Sequence, residues 1–332
     1  MNTKTFAHVA LAAAVIGFVD LCSALSPLTA TTAAPASADE TFLTNLAWQI
    51  TLDRAGFSPG LIDGRVGAKT ELATREFQKS HGLGVTGQLD EPTWDALGIA
   101  SLGLGPDKAA AGPGRALIQY TVTADDLAAV GPLPKGWVAK SQASRLPYPS
   151  LDEALAERFH CTRGLLAQLN PGMNIAALKA GSVIQAPNVQ AADIQAGNRI
   201  EVSFAQKVVR VYSGGRVVGM FNCSIAADRA NLPRGNATVQ VIANNPVYRF
   251  DPKKWTEVRG VKSTLLLPPG PRNPVGSCWV GLSLKGYGLH GTPAPEMIGK
   301  TGSHGCIRLA NWDAVRLGRM VKVGTPVTFV GR

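Results

Sequence analysis

Apolar residues recur at three-to-four spacing between Thr41 and about Ala100. Leu43, Leu46, Ala47 and Ile50 form one stripe, and Leu72, Ala73 and Phe77 form another. That period places each stripe on one face of a helix. Gly56, Pro59-Gly60, Asp63-Gly64 and Gly67 interrupt the pattern with a turn-rich loop, and a short third helix starts in Thr93–Leu97. Residues 41–100 therefore predict a small helical bundle. Ser101–Gly114 (residues 101–114) carries Gly103, Gly105, Pro106, Gly112, Pro113 and Gly114 and predicts a linker. In residues 115–189 the order is strand, helix, helix, strand: Tyr120–Thr123 alternates, Leu151–Phe159 and Thr162–Leu169 are helical, and Gly181–Ile184 closes with a strand before Pro187. Ser150 with Glu153 predicts a capping box, and Asn170-Pro171-Gly172 ends the second helix.

From residue 197 to 332 the period changes to two. Ile200–Phe204 and Val208–Tyr212 alternate like paired strands, Val217–Asn222 and Thr238–Ala243 continue the pattern, and Val327–Val330 is a last strand. One helix is predicted over Trp312–Met320. The fold class is thus multidomain α and β, ending in a mostly β domain.

The first residues follow neither period. Lys4 precedes a mostly apolar run of fourteen residues, Phe6–Val19, and Ala36-Ser37-Ala38 fits a small-residue cleavage site before Asp39. Residues 1–38 predict an export signal, the alternative being an uncleaved amino-terminal anchor. Asp20 and Leu21 argue against Cys22 as a lipid-attachment site, which wants small residues before it. The expected location is outside the cytoplasm, in the periplasm or cell envelope. No run beyond this region reaches the roughly eighteen apolar residues of a helical span, which excludes a polytopic helical membrane protein.

Charge separates the chain into unlike parts. The 332 residues carry 33 Lys+Arg against 23 Asp+Glu, a net +10, but residues 197–332 alone hold 19 basic and 6 acidic residues. A basic carboxy-terminal domain suggests an anionic partner. A cell-wall polymer or a lipid surface fits; nucleic acid has no supporting motif. Cys161, Cys223, Cys278 and Cys306 follow the signal, and an oxidising compartment tends to pair thiols. If one thiol must stay free, at most one bridge can form among the other three.

Cys306 is the thiol with a reason to stay free. Thiol catalysis needs a thiolate, a histidine to take its proton, and backbone N–H groups to receive the oxyanion. Cys306 lies sixteen positions after His290 and follows Gly305, where the backbone can approach a substrate closely. Cys306, His290 and His304 are also three possible zinc ligands, but no H-E-x-x-H or C-x-x-C element accompanies them. No metal and no cofactor are expected.

Three resemblances extend this reading. Gly56-Phe57-Ser58-Pro59-Gly60-Leu61-Ile62-Asp63-Gly64, Gly67-Ala68-Lys69-Thr70, Phe77-Gln78, Gly82-Leu83 and Gly87 resemble the peptidoglycan-binding domain of the first type. That resemblance implies binding of wall glycan or peptide, against the alternative of a spacer. Leu169–Gly172 with Leu178–Ile184 resembles a LysM module, interrupted between about Gly131 and Pro149. Tyr287–Thr292, Ile298-Gly299, Ser303–Leu309 and Asn311, with Pro233-x-Gly235 upstream, resemble the YkuD-type L,D-transpeptidase signature over residues 197–332. The last resemblance implies Cys306 as nucleophile, His290 as proton donor and acceptor, and the Gly291 carbonyl as the group that orients the imidazole. It implies His304, Ser303 and Tyr287 as residues shaping the site, with the amides of Gly305 and Cys306 forming the oxyanion hole. Arg308 either holds a substrate carboxylate or pairs with Asp313; Asn311 and Asp313 stabilise the fold. The implied reaction is acyl transfer from a peptidoglycan stem tetrapeptide, releasing D-alanine. The acceptor is a second stem, giving a 3→3 cross-link, or a lipoprotein lysine. The rival readings are a carboxypeptidase using the same cysteine and a non-catalytic wall-binding protein.

Overall fold

The computed structural model describes residues 38–102, 115–190, 194–254 and 258–331. The expected signal, Cys22 and nearly all of the expected linker lie outside the described residues. Among the described residues no helix is long and apolar enough to cross a membrane.

The amino-terminal stripes fold as the 3.6 period predicts. Ala38–Arg54 (α1), Ala68–Ser80 (α2) and Glu91–Ala96 (α3) turn Leu46, Ala47, Ile50, Ala73 and Phe77 into a shared interior. Asp90 caps α3 by accepting from the Thr93 amide. The α1–α2 loop is organised by Gln49, whose Oε1 accepts from the amides of Asp63 and Gly64 at 3.0 and 2.8 Å.

The next segment runs Leu117–Thr121 (β1), Ala124–Ala128 (α4), Trp137–Gln142 (α5), Leu151–Arg158 (α6), Arg163–Leu169 (α7) and Val183–Pro187 (β2). β1 and β2 pair antiparallel around the helices. Ser150 sits at the N-cap of α6, but its side chain makes no capping hydrogen bond. Glu153 instead meets Arg272 Nη1 at 2.8 Å, a charge-assisted bond stronger than an amide offers, so the predicted capping box does not form. A reciprocal capping box forms at α4, between Thr123 and Asp126. The stretch that interrupts the LysM-like pattern contains α5, and Trp137 stacks on Phe250 at 4.0 Å. Leu146 N–H donates to Pro269 O alongside it. The interruption is an arm that reaches the last domain.

That domain contains Arg199–Ser203 (β3), Val208–Ser213 (β4), Arg216–Asn222 (β5), Ala237–Asn244 (β6), Tyr248–Phe250 (β7), Leu265–Leu267 (β8), Cys278–Leu282 (β9), Gly288–His290 (β10), Ile307–Arg308 (β11), Asn311–Met320 (α8) and Pro326–Val330 (β12). Eight strands form one sheet in the order β11-β10-β9-β6-β12-β3-β4-β5, and β7 and β8 pair separately. The β10–β11 and β12–β3 pairs are parallel; the other pairs in the sheet are antiparallel. α8 packs Ala314, Leu317 and Met320 into the same core as Val280, Leu289 and Ile307. Cys161, Cys223 and Cys278 are buried and Cys306 is half-buried, and no disulfide joins any of these four.

The segments do not sit apart as beads. Val208 and Met220 of the sheet belong to the apolar cluster built by Leu46, Phe57, Phe77 and Leu155. Phe57 bridges Met220, with Ser58 N–H donating to Met220 O at 2.8 Å and Met220 N–H donating to Gly56 O at 2.9 Å. Arg210 grips Glu76 through two bonds of 2.9 Å, both side chains buried. Where all three segments meet, Asp53 contacts His160 Nδ1 at 3.0 Å and Arg316 Nη2 at 3.4 Å, and His160 stacks on Trp312. Burial would raise Asp53, but His160 and Arg316 reverse this and hold it below its ordinary value. Asp313, which accepts from Ser58 Oγ at 2.9 Å, is only partly compensated by Arg316, by that bond and by Lys69. Burial and then the Asp53 charge push it up to about 7.

A carboxyl raised in the folded state leaves stability intact below its unfolded pKa and removes it as pH rises through the folded value. Asp313→Asn should therefore match wild-type stability near pH 4 and exceed it increasingly toward pH 8. The gap should reach on the order of 2–4 kcal/mol, read by urea unfolding at each pH. Glu157, also pushed up to about 7 by burial, sustains the slope that remains.

Candidate active site

The three strands at one end of the sheet, β11, β10 and β9, place the side chains. β10 pairs with β11 so that His290 lies opposite Arg308, and with β9 so that His290 lies opposite Trp279. Partners across a ladder share a face, and so do residues two apart on one strand. His290, Arg308 and Trp279 therefore emerge on the same side, and Cys306, in the bend just before β11, lines the same cleft. The Trp279 indole stacks on the imidazole at 5.5 Å and lies across Gly288, where a Cβ would come within 2.5 Å of the ring.

The turn that presents Cys306 is tied down at each residue. Ser303 N–H donates to Ile225 O at 2.8 Å, and Ser303 O accepts from Ala227 N–H at 2.9 Å. Ser303 Oγ donates to Cys306 O and accepts from Gly305 N–H at 3.2 Å. Arg308 and Ser224 exchange both backbone bonds, at 2.8 and 2.9 Å. Cys306 Sγ is left half-buried, 3.5 Å from Gly286 O.

His290 is buried, with Nδ1 at 2.7 Å from Gly291 O. A carbonyl can only accept, so Nδ1 carries the proton and Nε2 carries the lone pair. Burial first, and then the Arg308 charge, pull the imidazole down to about 4, against the opposing pull of the Gly291 bond. It is neutral at pH 7. Gly291 itself admits no side chain: a Cβ would lie 2.1 Å from Asn311 Oδ1. Asn311 spends that oxygen on the Ser277 amide at 3.0 Å and its Nδ2 on Glu157 at 2.9 Å.

Arg308 is half-buried, which lowers its guanidinium, and the charges of Cys306 and Tyr248 oppose that shift. Its alternative partner from the sequence, Asp313, accepts instead from Ser58 Oγ at 2.9 Å. The Tyr287 hydroxyl donates to Asn231 O at 3.1 Å, and its ring flanks Gly305. His304 is exposed.

His290, Ser303, His304, Gly305, Cys306, Arg308 and Tyr287 line one cleft of about 1060 Å³. Gly291 lies behind it. Tyr248, Arg249, Asp251, Trp279 and Lys285 also line this cleft and escape the sequence reading. Trp279 sits in an ordinary alternating strand, and Tyr248–Asp251 arrives from a hairpin with no motif of its own. With Arg249, Lys285 and Arg308 against Asp251, the cleft wall is basic. A thiol, a neutral imidazole and a guanidinium facing one open cleft have the chemistry that acyl transfer from an anionic peptide requires.

Comparison with known proteins agrees. Residues 197–329 match the YkuD family, described as an L,D-transpeptidase catalytic domain, and residues 46–97 match a peptidoglycan binding domain family. A relative from Bacillus licheniformis that carries the name L,D-transpeptidase YkuD is 33% identical over 176 residues, covering 53% of this chain and 91% of its own. The relative named YbiS from Escherichia coli K12 is 28% identical over 184 residues, covering 54% of this chain and 59% of its own. Among solved structures, an L,D-transpeptidase from Xylanimonas cellulosilytica aligns over 86% of this chain and 93% of its own, at 16% identity and a TM-score of 0.35. The chain belongs to the YkuD family of L,D-transpeptidases. It pairs that catalytic domain with a peptidoglycan-binding domain, and peptidoglycan is its substrate.

Gly291→Ala tests the packing behind the imidazole. The added methyl must displace Asn311, so the variant should lose about 1–3 kcal/mol of stability in urea unfolding.

Proposed function

We propose that the chain is exported and that Cys306 performs acyl transfer on stem tetrapeptides at the outer face of the cell. What supports this is the placement of Cys306, His290 and Arg308 in one cleft, with the imidazole locked in the tautomer that can accept a proton. Cys306 sulfur attacks the carbonyl before the terminal D-alanine as its proton passes to His290 Nε2. The amides of Gly305 and Cys306 receive the oxyanion; the 3.2 Å bond from Gly305 to Ser303 Oγ is long enough to be exchanged for it. The C–N bond breaks, His290 protonates the departing amine, and a thioester remains. An imidazole held near 4 gives up that proton readily once charged. The side-chain amine of a second stem then attacks the thioester, forming the 3→3 amide and restoring the thiol; a lipoprotein lysine is the alternative acceptor. Arg308 holds a substrate carboxylate, and Tyr287 and His304 shape the entrance. Residues 41–100 engage the wall, and residues 115–189 act as a LysM-like support.

The decisive experiment is mass spectrometry of products from a purified disaccharide-tetrapeptide, with the signal-free protein and Cys306→Ala side by side. The expected product is a dimer lighter than two units by one D-alanine, present only with Cys306. Tripeptide alone would replace transfer with hydrolysis, and turnover by the alanine variant would remove Cys306 as nucleophile.

The histidine supplies a second test. Protonating His290 removes the base, so kcat/KM should fall only below a pH of about 4. An acid limb near the ordinary histidine value of roughly 6.5 would contradict the buried, neutral base.

A further inference from the structure

The chain from His290 to Ser303 is a loop, residues 291–302, with a single short helical turn at Pro295–Met297. The loop joins the proposed base to the turn that carries the proposed nucleophile, so strain in it is felt at both. Two of its carbonyls are tied, directly or through an ion pair, to the amino-terminal segments. Ile298 O accepts from Lys69 Nζ on α2 at 2.8 Å. Pro293 O accepts from Arg272 Nη1, the same nitrogen that meets Glu153 on α6 at 2.8 Å. The sheet domain supplies further bonds: Lys207 Nζ to Gly299 O at 3.0 Å, and Gly299 N–H to Ser224 Oγ at 2.9 Å.

The Lys69 contact is built rather than incidental. An exposed lysine keeps its rotamer freedom and its water. Lys69 is half-buried, and its stem lies across Gly60, where a Cβ would come within 2.9 Å of Lys69 Cδ. Its Cε faces Gly299. Burial and the neighbouring Lys300 lower the ammonium, and the Ile298 carbonyl is the acceptor that offsets the lost hydration. α2 is itself fixed to the sheet by the buried Glu76–Arg210 fork, so Lys69 is a rigid reference point rather than a loose tether. The Lys69 grip originates outside the catalytic domain; the Arg272 grip comes from within it but is held from outside by Glu153 on α6.

We propose that Lys69 and the Glu153–Arg272 pair are positioning residues: Lys69 directly, and Glu153 through Arg272 of the catalytic domain, clasp the loop between His290 and Cys306 and tune the alignment of base and nucleophile. This rests on the roles proposed above for those two residues. The peptidoglycan-binding segment is then part of the catalytic alignment as well as a wall contact.

The test uses the full signal-free chain and D-alanine release from the disaccharide-tetrapeptide, with kcat, KM and Tm measured for wild type, Lys69→Met, Lys69→Arg and Glu153→Gln. Misplacing a reacting group costs rate rather than affinity. Lys69→Met should lower kcat about tenfold with KM within about twofold of wild type, and Lys69→Arg, which can still donate, should restore at least about half of the rate. Glu153→Gln should lower kcat in the same sense and carries the test alone if Lys69→Met does not fold. Wild-type kcat in both Lys69→Met and Glu153→Gln, or a loss in Lys69→Met that arginine does not repair, overturns the clasp while leaving the proposed function standing. A wild-type protein that releases no D-alanine overturns the proposed function and the clasp with it.

Discussion

The cleft depends on the register between two very short strands. β10 has three residues and β11 has two, and their parallel pairing sets His290 opposite Arg308. A slip of one residue would turn Arg308 to the other face of the sheet and shift the bend that carries Cys306 away from the imidazole. So few ladder bonds cannot hold a register alone. It is fixed from outside: Leu309 N–H donates to His290 O, Ser224 exchanges two bonds with Arg308, and Ser303 is anchored to the chain at residues 225–227. The chemistry therefore rests on the segment that follows β5, a part of the chain that carries no catalytic residue.

The same logic extends to the packing of the segments. Glu76 and Arg210 are both withdrawn from water, and a buried ion pair contributes little net stability because desolvation offsets its attraction. What it contributes is exclusion of alternatives, since any other seating of α2 would strand one charge. Asp53 does likewise at the three-way junction, where His160 comes from the middle segment and Arg316 from α8. Apolar contact between Phe57, Met220 and Leu155 supplies the adhesion; the buried charges specify the seat.

The sequence was legible where structure is local. The 3.6 period of Leu43–Ile50 and the alternation of Val208–Tyr212 report the elements they form, because burial on one face imposes those periods. The string from Tyr287 to Leu309 reports the cleft's inner wall, because nucleophile, turn and base occupy one short stretch of chain. Trp279, Tyr248 and Arg249 were silent, because their proximity to Cys306 arises from sheet order and a separate hairpin. Glu153 was misread as a cap because Arg272, more than a hundred residues away, competes for it. The stretch between Gly131 and Pro149 looked like an interruption because its partner, Phe250, lies in another domain.

The loop motif of the amino-terminal bundle illustrates how one sequence signal can carry two duties. Gly56 to Ser58 was read for its resemblance to a wall-binding domain, with a spacer as the alternative. In the fold this loop is the docking edge: Phe57 enters the shared core, Ser58 meets Met220 and Asp313, and the Ser58 carbonyl accepts from Asn222 Nδ2 at 2.7 Å. Residues so occupied are closed to an external ligand, so wall contact by this bundle must use its other faces. Docked through part of its motif, the bundle has a fixed orientation relative to the cleft. Fixed orientation matters for a polymeric substrate: a flexible tether only raises local concentration, whereas a rigid one also restricts which stem can reach the cleft.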